Sequence, residues 1–210
     1  METKNFIITI NREFGSGGHE IAVKLSELLN IKVYDKAFLD TICQKFNLTE
    51  EEVEKIKAEK KNWWSEFCHF YKQFGVSGYV ATELSEVTSM QLYHAEARAM
   101  RDLAEKESCI FVGRTGFHVF KDRPNTIKIM LIADMEHRVD RIMHKYNVDE
   151  EKARKMIEDN DKARENYTKT FAGVSRYDAR NYDLVINITP FSTEQVAQFL
   201  AYNLRLKYPL

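Results

Sequence analysis

The sequence predicts an α/β fold of three layers, in which a parallel five-stranded sheet lies between two layers of helices. Short apolar segments alternate along the chain with segments of helical periodicity, and this alternation is typical of a parallel sheet covered on both faces. The 210 residues include 3 Pro and 8 Gly, which leaves no room for a flexible linker. We therefore expect a single domain, residues 1–210, with any ligand at the carboxyl ends of the strands.

The strands are assigned from short runs of β-branched and other apolar residues: a first strand beginning at Phe6, then 31–34, 108–112, 127–132 and 184–188. The helices are assigned from apolar residues that recur every three or four positions, over the approximate spans 19–29, 36–46, 50–60, 82–106, 135–146, 149–165 and 193–206. Polar residues at the start of these spans, or directly before it, are the predicted N-caps: Thr49, Asp134, Asp149 and Thr193.

A glycine-rich turn, Gly15-Ser16-Gly17-Gly18-His19, joins the first strand to the first helix. Strand, glycine loop and helix follow in the order of a P-loop. Glycines let consecutive backbone N–H groups converge on one point, and the helix N-terminus adds partial positive charge, so this turn can hold a phosphate. A tight turn without a ligand is the alternative, because glycine is the usual residue at positive φ.

The turn lacks the cation of the full P-loop signature, which ends in Gly-Lys-Ser/Thr. Here Gly17 is followed by Gly18 and His19. Lys36, Lys162 or an arginine of a partner subunit are the candidates to replace the missing lysine.

A second turn, Gly113-Arg114-Thr115-Gly116, follows the strand that ends at Val112. It places an arginine at the carboxyl edge of the sheet, where its planar fork could donate two hydrogen bonds to a phosphate. The alternative is an exposed arginine in a short turn.

A charged segment after the 127–132 strand carries more arginines. Arg138 and Arg141 are i,i+3 neighbours, so we expect them to share a helix face and converge on one anion. Asp161 and Arg164 have the same spacing. Arginines on a mobile segment can stabilise a transferring phosphoryl group, whereas a solvated, ion-paired helix face is the alternative.

The second strand ends in Tyr34-Asp35-Lys36, also at the carboxyl edge. Lys36 could supply the cation that the glycine loop lacks, and Asp35 could hold magnesium or orient an acceptor hydroxyl. An exposed lysine at the start of a helix is the alternative.

Residues 61–77 contain a dense aromatic cluster that includes Trp63, Trp64 and Phe74. It could stack a base, but aromatic residues at helical spacing more often pack against their own protein or a second subunit. We expect an inserted helical hairpin or an oligomer contact, which makes a homodimer plausible.

Composition excludes several classes of protein. With 31 Lys plus Arg against 32 Asp plus Glu, the net charge of -1 predicts no general attraction to nucleic acid or to an anionic membrane. The chain shows no secretory or membrane-spanning pattern, so we expect a cytoplasmic protein. The three cysteines, Cys43, Cys68 and Cys109, are expected to be core residues, and the histidines show no metal-ligand spacing.

Taken together, the chain resembles the cytidylate kinase-like family of P-loop nucleoside monophosphate kinases. The residues that carry this resemblance are the loop from Arg12 to Ile21, the Tyr34–Lys36 turn, the Val112–Arg114 turn and the segment from Tyr182 to Asn187. The resemblance implies a P-loop NTPase-type fold with a helical lid at about 135–175 and an acceptor-binding and inserted helical region at about 36–106.

The resemblance also implies residue roles, with ATP and Mg²⁺ as cofactors and a nucleoside monophosphate such as CMP as acceptor. The residues implied at the donor phosphates are Arg12, Gly15, Ser16, Gly17, Gly18, His19 and Glu20. Those implied at the acceptor are Asp35, Lys36 and Arg114, and those implied in catalysis are Arg114, Arg138, Arg141, Asp161 and Arg164.

The chain departs from cytidylate kinases at three positions. Gly18 replaces the P-loop lysine, His19 stands near the magnesium-binding hydroxyl, and Ile157 stands where a charged pair of the lid is expected. Three functions therefore remain open: a kinase, a nucleotide-binding module that has lost catalysis, or a structural protein built on the same fold.

Overall fold

The structure is a computed structural model that describes residues 5–35 and 89–208. The described strands are β1 (Ile7–Arg12), β2 (Lys32–Tyr34), β3 (Cys109–Val112), β4 (Thr126–Ile132) and β5 (Leu184–Asn187). The described helices are α1 (Gly18–Leu29), α2 (Ser89–Lys106), α3 (Gly116–Val119), α4 (Met135–Tyr146), α5 (Glu150–Ala172) and α6 (Thr193–Lys207), with a 3₁₀ turn at Ala179–Asn181.

The five strands form one parallel sheet in the order β2-β3-β1-β4-β5. In its register, Ile10 of β1 pairs with Val112 of β3, and Arg12 pairs with Leu131 of β4. The carboxyl ends of β1 and β3 therefore open on the same edge, where the glycine loop and the Arg114 turn begin. The predicted fold class is confirmed.

Alternate residues of β1 supply the two faces of the sheet. Ile8 and Ile10 pack in a core with α1 and α6, whereas Ile7 packs on the other face with α2. Both faces are apolar because helices cover both, and this explains the nearly continuous hydrophobic strands of the sequence.

Cys109 is buried in the core between the sheet and α2, as predicted, and burial raises the pKa of its thiol to about 12.

The boundaries of α1, α4 and α6 match the prediction to within one residue, and α2 is described from Ser89 within the predicted span 82–106. The short helix α3 was not predicted, and two further differences lie at α5 and α6. The N-cap of α6 is Ser192 and not Thr193, because Ser192 accepts from the N–H of Gln195 while the Gln195 side chain accepts from the N–H of Ser192. Helix α5 begins after the predicted cap Asp149 but continues to Ala172, beyond the predicted end at residue 165.

Helices α4 and α5 pack on each other through an apolar cluster that includes Ile142, Met156 and Ile157. Phe14 of the glycine loop packs against this cluster. Ile157, one of the departures from cytidylate kinases, is thus a core residue of the α4–α5 pair.

Several predictions lie outside the described residues: helices 36–46 and 50–60, the cap Thr49, Lys36 and the aromatic cluster at 61–77. The homodimer expected from that cluster stays a prediction. Within the described ranges, no helix has the length and apolar character needed to cross a membrane.

Candidate active site

The glycine loop has a backbone conformation that only glycine adopts easily. Gly15 has φ 85° and Gly17 has φ 77°. A Cβ on Gly15 would lie 3.0 Å from both Cβ and the carbonyl oxygen of Arg138, so space as well as φ requires glycine there. The hydroxyl of Ser16 is buried and donates to the Glu13 carbonyl at 3.0 Å, which closes the turn. The N-terminus of α1 therefore begins at a fixed point beside β1.

The side chain of Arg12 runs from the glycine loop toward the Arg114 turn. A Cβ on Gly18 would lie 2.7 Å from Arg12 Cβ and 2.8 Å from Arg12 Cγ. A Cβ on Gly113 would overlap Arg12 Nη1. Arg12 thus fills the space above Gly18, and its guanidinium ends at Gly113.

A cavity of about 70 Å³ opens at the carboxyl ends of β1 and β3. Four arginines line it: Arg12, Arg114, Arg164 and Arg176. The other polar and aromatic lining residues include Asn11, Tyr167 and Thr168. Guanidinium groups at this density favour an anionic ligand. Sequence analysis found three of these arginines and missed Arg176.

Arg176 is 1% exposed, yet part of its guanidinium has no hydrogen bond within the described part of the chain. Nη2 donates to the carbonyl of Arg12, and Nη1 lies 3.8 Å from Oδ1 of Asp161. Nε and Nη1 make no hydrogen bond there. Burial and the neighbouring charge of Arg164 lower the pKa of Arg176. Buried donors of this kind favour a ligand that accepts from them.

The backbone around Arg176 is fixed by a chain of buried hydrogen bonds. The amide of Asn11 donates to the hydroxyl of Tyr182 at 2.7 Å, and that hydroxyl donates to the carbonyl of Arg176 at 2.7 Å. The segment after α5 is thereby attached to the central strand. It is irregular, so no periodic pattern in the sequence marked Arg176.

Arg114 is held by an acidic residue that sequence analysis also missed. Arg114 Nη2 lies 2.9 Å from Oε1 of Glu96, and both side chains are buried. The hydroxyl of Tyr167 donates to Oε2 of Glu96 at 3.0 Å, and the Tyr167 ring lies 5.8 Å from Arg114 Cζ. Burial and the Glu96 charge raise the pKa of Tyr167 well above its usual value. Arg114 is therefore a fixed cation in the wall of the cavity and not an exposed turn residue.

Arg164 lies on α5 and reaches back to the loop. Its Nη1 donates to the carbonyl of Arg12 at 3.2 Å, and its Cζ lies 5.5 Å from the Phe14 ring. Lys162, two residues earlier, is exposed. The predicted arginine of α5 thus lies at the cavity, whereas the lysine beside it points to solvent.

Arg138 and Arg141 do not converge on one anion as expected, because each forms ion pairs with different carboxylates. Arg138 is buried, with Nη1 2.5 Å from Oδ2 of Asp161 and Nε 3.8 Å from Oε2 of Glu13. Arg141 is partly exposed, and its Nη2 lies 3.1 Å from Oε2 of Glu20. The same Nη2 would lie 3.1 Å from a Cβ on Gly17, so Arg141 lies against the glycine loop.

Asp161 and Glu20 are both engaged in contacts between elements. Oδ1 of Asp161 accepts from the backbone N–H of Phe14 at 2.9 Å, which ties α5 to the loop. Oε1 of Glu20 accepts from the hydroxyl of Thr193 at 2.6 Å, which ties α1 to α6. The hydrogen bond from Thr193 is the main cause of the lowered pKa of Glu20.

His19 and Asp35 come together at the open side of the loop. His19 Nδ1 lies 3.9 Å from Oδ2 of Asp35, and both side chains are accessible to solvent. Across residues 5–35 and 89–208, no group of three or more His, Cys, Asp or Glu is arranged to hold a metal ion.

The strand order, the helices on both faces of the sheet and the glycine loop after β1 are those of a P-loop NTPase-type fold. Comparison with known proteins agrees: the profile of the cytidylate kinase-like family matches residues 7–190. The chain belongs to the cytidylate kinase-like family, which confirms the resemblance found in the sequence.

Individual curated proteins match this chain over about half of its length. A cytidylate kinase of Methanopyrus kandleri is 30% identical over 111 residues, which cover 49% of this chain and 58% of that protein. A uronate isomerase of Corynebacterium glutamicum is 30% identical over 107 residues, 51% of this chain and 21% of that protein. The chain thus spans from a fifth to rather more than half of the curated relatives it matches.

Among solved structures, an uncharacterized protein from Eubacterium ventriosum matches with a TM-score of 0.71 at 26% identity, over 95% of this chain and 98% of that one. Shikimate kinase from Bacteroides thetaiotaomicron matches with a TM-score of 0.50 at 13% identity, over 95% of this chain and 98% of that one, and shows the shared fold.

Proposed function

We propose that this protein is a kinase that transfers the γ-phosphoryl group of ATP to a small anionic acceptor, a nucleoside monophosphate such as CMP. The observation that carries the proposal is the arginine-lined cavity beside the glycine loop. Catalysis of phosphoryl transfer needs mainly in-line positioning and cationic stabilisation of the transferred group, and both are available at this edge of the sheet.

The donor would lie on the loop. Backbone N–H groups at the start of α1 and the guanidinium of Arg141 beside Gly17 would hold the outer phosphates of ATP. Mg²⁺ in kinases is held largely by phosphate oxygens and one or two carboxylates, and it neutralises developing charge. Asp35, the carboxylate next to His19 at the loop, is the residue that would approach it.

The acceptor would lie in the cavity. Arg114, fixed by Glu96, and the buried Arg176 would bind its phosphate. A guanidinium group can donate two parallel hydrogen bonds to the oxygens of one phosphate. An acceptor phosphate oxygen would attack the γ-phosphorus and form the new P–O bond. The bond from that phosphorus to the β–γ bridging oxygen would break, and ADP would leave with the electron pair.

Arg138 and Asp161, which the resemblance places among the catalytic residues, would act by positioning. Their buried ion pair holds α4 and α5 together, and Asp161 also fixes the backbone of Phe14. They would keep the loop in the shape that receives the donor.

A non-catalytic nucleotide-binding module is the second candidate, and one observation favours it. The first turn of α1 carries Gly18 and His19 in place of the lysine and the hydroxyl of the full P-loop signature. Such a protein would bind ATP and change shape without turnover.

The test is ADP production from Mg-ATP across a panel of nucleoside monophosphates, with the unphosphorylated nucleosides as matched acceptors. The kinase proposal predicts turnover with one or more monophosphates and none with the nucleosides. It also predicts that Arg114→Ala abolishes this turnover, whereas Arg205→Ala leaves it unchanged. Arg205 lies at the end of α6, where it donates to Leu28 at the far end of α1.

Absence of turnover with every acceptor, together with a melting temperature that ATP still raises, would favour the non-catalytic module instead.

A further inference from the structure

Arg12 and Gly18 are spatially complementary. Gly18 is the first residue of α1 and has no positive φ, so the backbone does not require glycine there. What requires it is space: a Cβ on Gly18 would lie 2.7 Å from Arg12 Cβ, closer than real Cβ atoms approach. The position of the P-loop lysine is therefore glycine because Arg12 covers it.

A second glycine receives the other end of the same side chain. Arg12 Nη1 lies so near Gly113, at the start of the turn that carries Arg114, that a Cβ on Gly113 would clash with it. The Arg12 guanidinium thus lies between the glycine loop and the wall of the cavity. In the proposed function, this is the region between donor and acceptor.

The backbone of Arg12 is held from the opposite side. Its carbonyl accepts from Nη1 of Arg164 and from Nη2 of Arg176. Both bonds are made to the main-chain oxygen of Arg12. The origin of the side chain is therefore fixed, while its charged end lines the cavity.

We propose that Arg12 is the cation that replaces the P-loop lysine, with its guanidinium on the oxygens of the transferred phosphoryl group. This inference rests on the proposed kinase function. Relative to the usual P-loop, the cation and a glycine have exchanged positions. The cation comes from Arg12 at the end of β1, and Gly18, which makes room for it, stands at the first residue of α1, where lysine is usual. The planar fork of arginine would contact two phosphate oxygens where lysine contacts one.

The test begins with Arg12→Gln, which keeps most of the side-chain length and removes the charge, and with Arg12→Ala. Each is measured for ATP affinity by calorimetry, for turnover and for melting temperature, with Arg205→Ala as the matched arginine control. We expect turnover to fall by about 10²-fold or more, the range found when one stabilising donor is removed from a transition state. The melting temperature shows whether each variant is folded, and turnover is compared between folded proteins.

Addition of guanidinium ion at millimolar concentration separates a catalytic from a structural role. If the guanidinium of Arg12 acts on the phosphoryl group, free guanidinium restores part of the turnover of Arg12→Ala and has no such effect on the wild type.

The exchange itself is tested by Gly18→Lys and by the double variant Arg12→Gly with Gly18→Lys. Gly18→Lys alone is expected to lose ATP binding, because the new side chain collides with Arg12. The double variant restores the usual P-loop arrangement and is expected to exceed Arg12→Gly in turnover by about tenfold or more, since the recovered charge lies in the same region.

Failure of this inference is distinguishable from failure of the proposed function. If the wild type turns over and Arg12→Gln matches it in turnover and ATP affinity, the inference is wrong and the kinase stands. If the wild type neither binds nor consumes ATP, the proposed function is wrong and the inference falls with it.

Discussion

Nη1 of Arg138 lies 2.5 Å from Oδ2 of Asp161, in a buried ion pair that joins α4 to α5 beneath the glycine loop. The other oxygen of Asp161 accepts from the backbone of Phe14. One carboxylate therefore connects the two helices and the loop. This contact makes the loop conformation depend on the α4–α5 pair.

We predict that Asp161→Ala lowers the free energy of unfolding by about 3 kcal/mol, the lower end of the range for breaking a buried ion pair. The buried Arg138 then loses its direct partner and keeps Glu13, whose Oε2 lies 3.8 Å from Nε. Urea unfolding of the wild type and the variant measures the difference. The matched control is Arg154→Ala, which removes an exposed α4–α5 contact between Arg154 and Glu136. An exposed pair contributes little, so an equal loss in both variants would contradict the role given to Asp161.

Gly15 is predicted to be required for nucleotide binding. Gly15→Ala combines the strain of φ 85° with a Cβ 3.0 Å from the Arg138 backbone oxygen, so the loop must shift. We expect ATP affinity to fall at least tenfold in calorimetry. The control is Gly173→Ala, which shares the left-handed conformation at φ 68° but meets nothing within 4 Å. It carries only the conformational cost of about 1–2 kcal/mol and should bind ATP normally.

Arg176 is predicted to bind the acceptor. Arg176→Lys retains a positive charge but loses the fork and the bond to the Arg12 carbonyl. We expect kcat/KM for the acceptor to fall by about 10²-fold, the effect of losing a charge-assisted contact of about 3 kcal/mol, while KM for ATP changes little. Arg180→Ala, an exposed arginine paired with Asp178, is the control. A variant whose loss fell only on ATP would contradict an acceptor role.

Glu20 is predicted to contribute to stability at neutral pH and to lose that contribution in acid. The hydrogen bond from Thr193 holds the pKa of Glu20 below its usual value in the folded protein. A carboxyl with a lowered folded pKa stabilises above its unfolded pKa, and the stabilisation disappears as pH falls through the folded value. Unfolding free energies from pH 7 downward, compared between wild type and Glu20→Gln, should differ near neutrality and converge in acid. A difference that stayed constant across this range would exclude titration of Glu20 as the cause.

The sequence was sufficient to predict the five strands and the long described helices, because the strands are short apolar runs and those helices carry a repeating apolar face. The four-residue helix α3 is too short to show such a repeat. It was also sufficient to locate the glycine loop between β1 and α1, since positive φ at Gly15 and Gly17 restricts those positions to glycine. These are local signals, so they can be read from neighbouring residues.

Partners across the fold could not be predicted in the same way. The i,i+3 spacing of Arg138 and Arg141 gave the right face but not their different partners, which come from Asp161 and Glu20. Glu96 and Arg176 carry no local signal, because one lies in a long helix and the other in an irregular segment. Gly18 is required by the Arg12 side chain that lies over it, and this contact has no signature in the sequence around Gly18.

The most direct test of the central claim follows the γ-phosphorus of ATP by ³¹P NMR in the presence of Mg²⁺ and CMP or another monophosphate from the panel. The proposed function predicts that the ATP γ signal declines while the β signal of a new nucleoside diphosphate grows with it. Conversion of the γ signal to inorganic phosphate alone, or an unchanged ATP spectrum from a protein that still binds ATP, would contradict transfer to an acceptor in the arginine cavity.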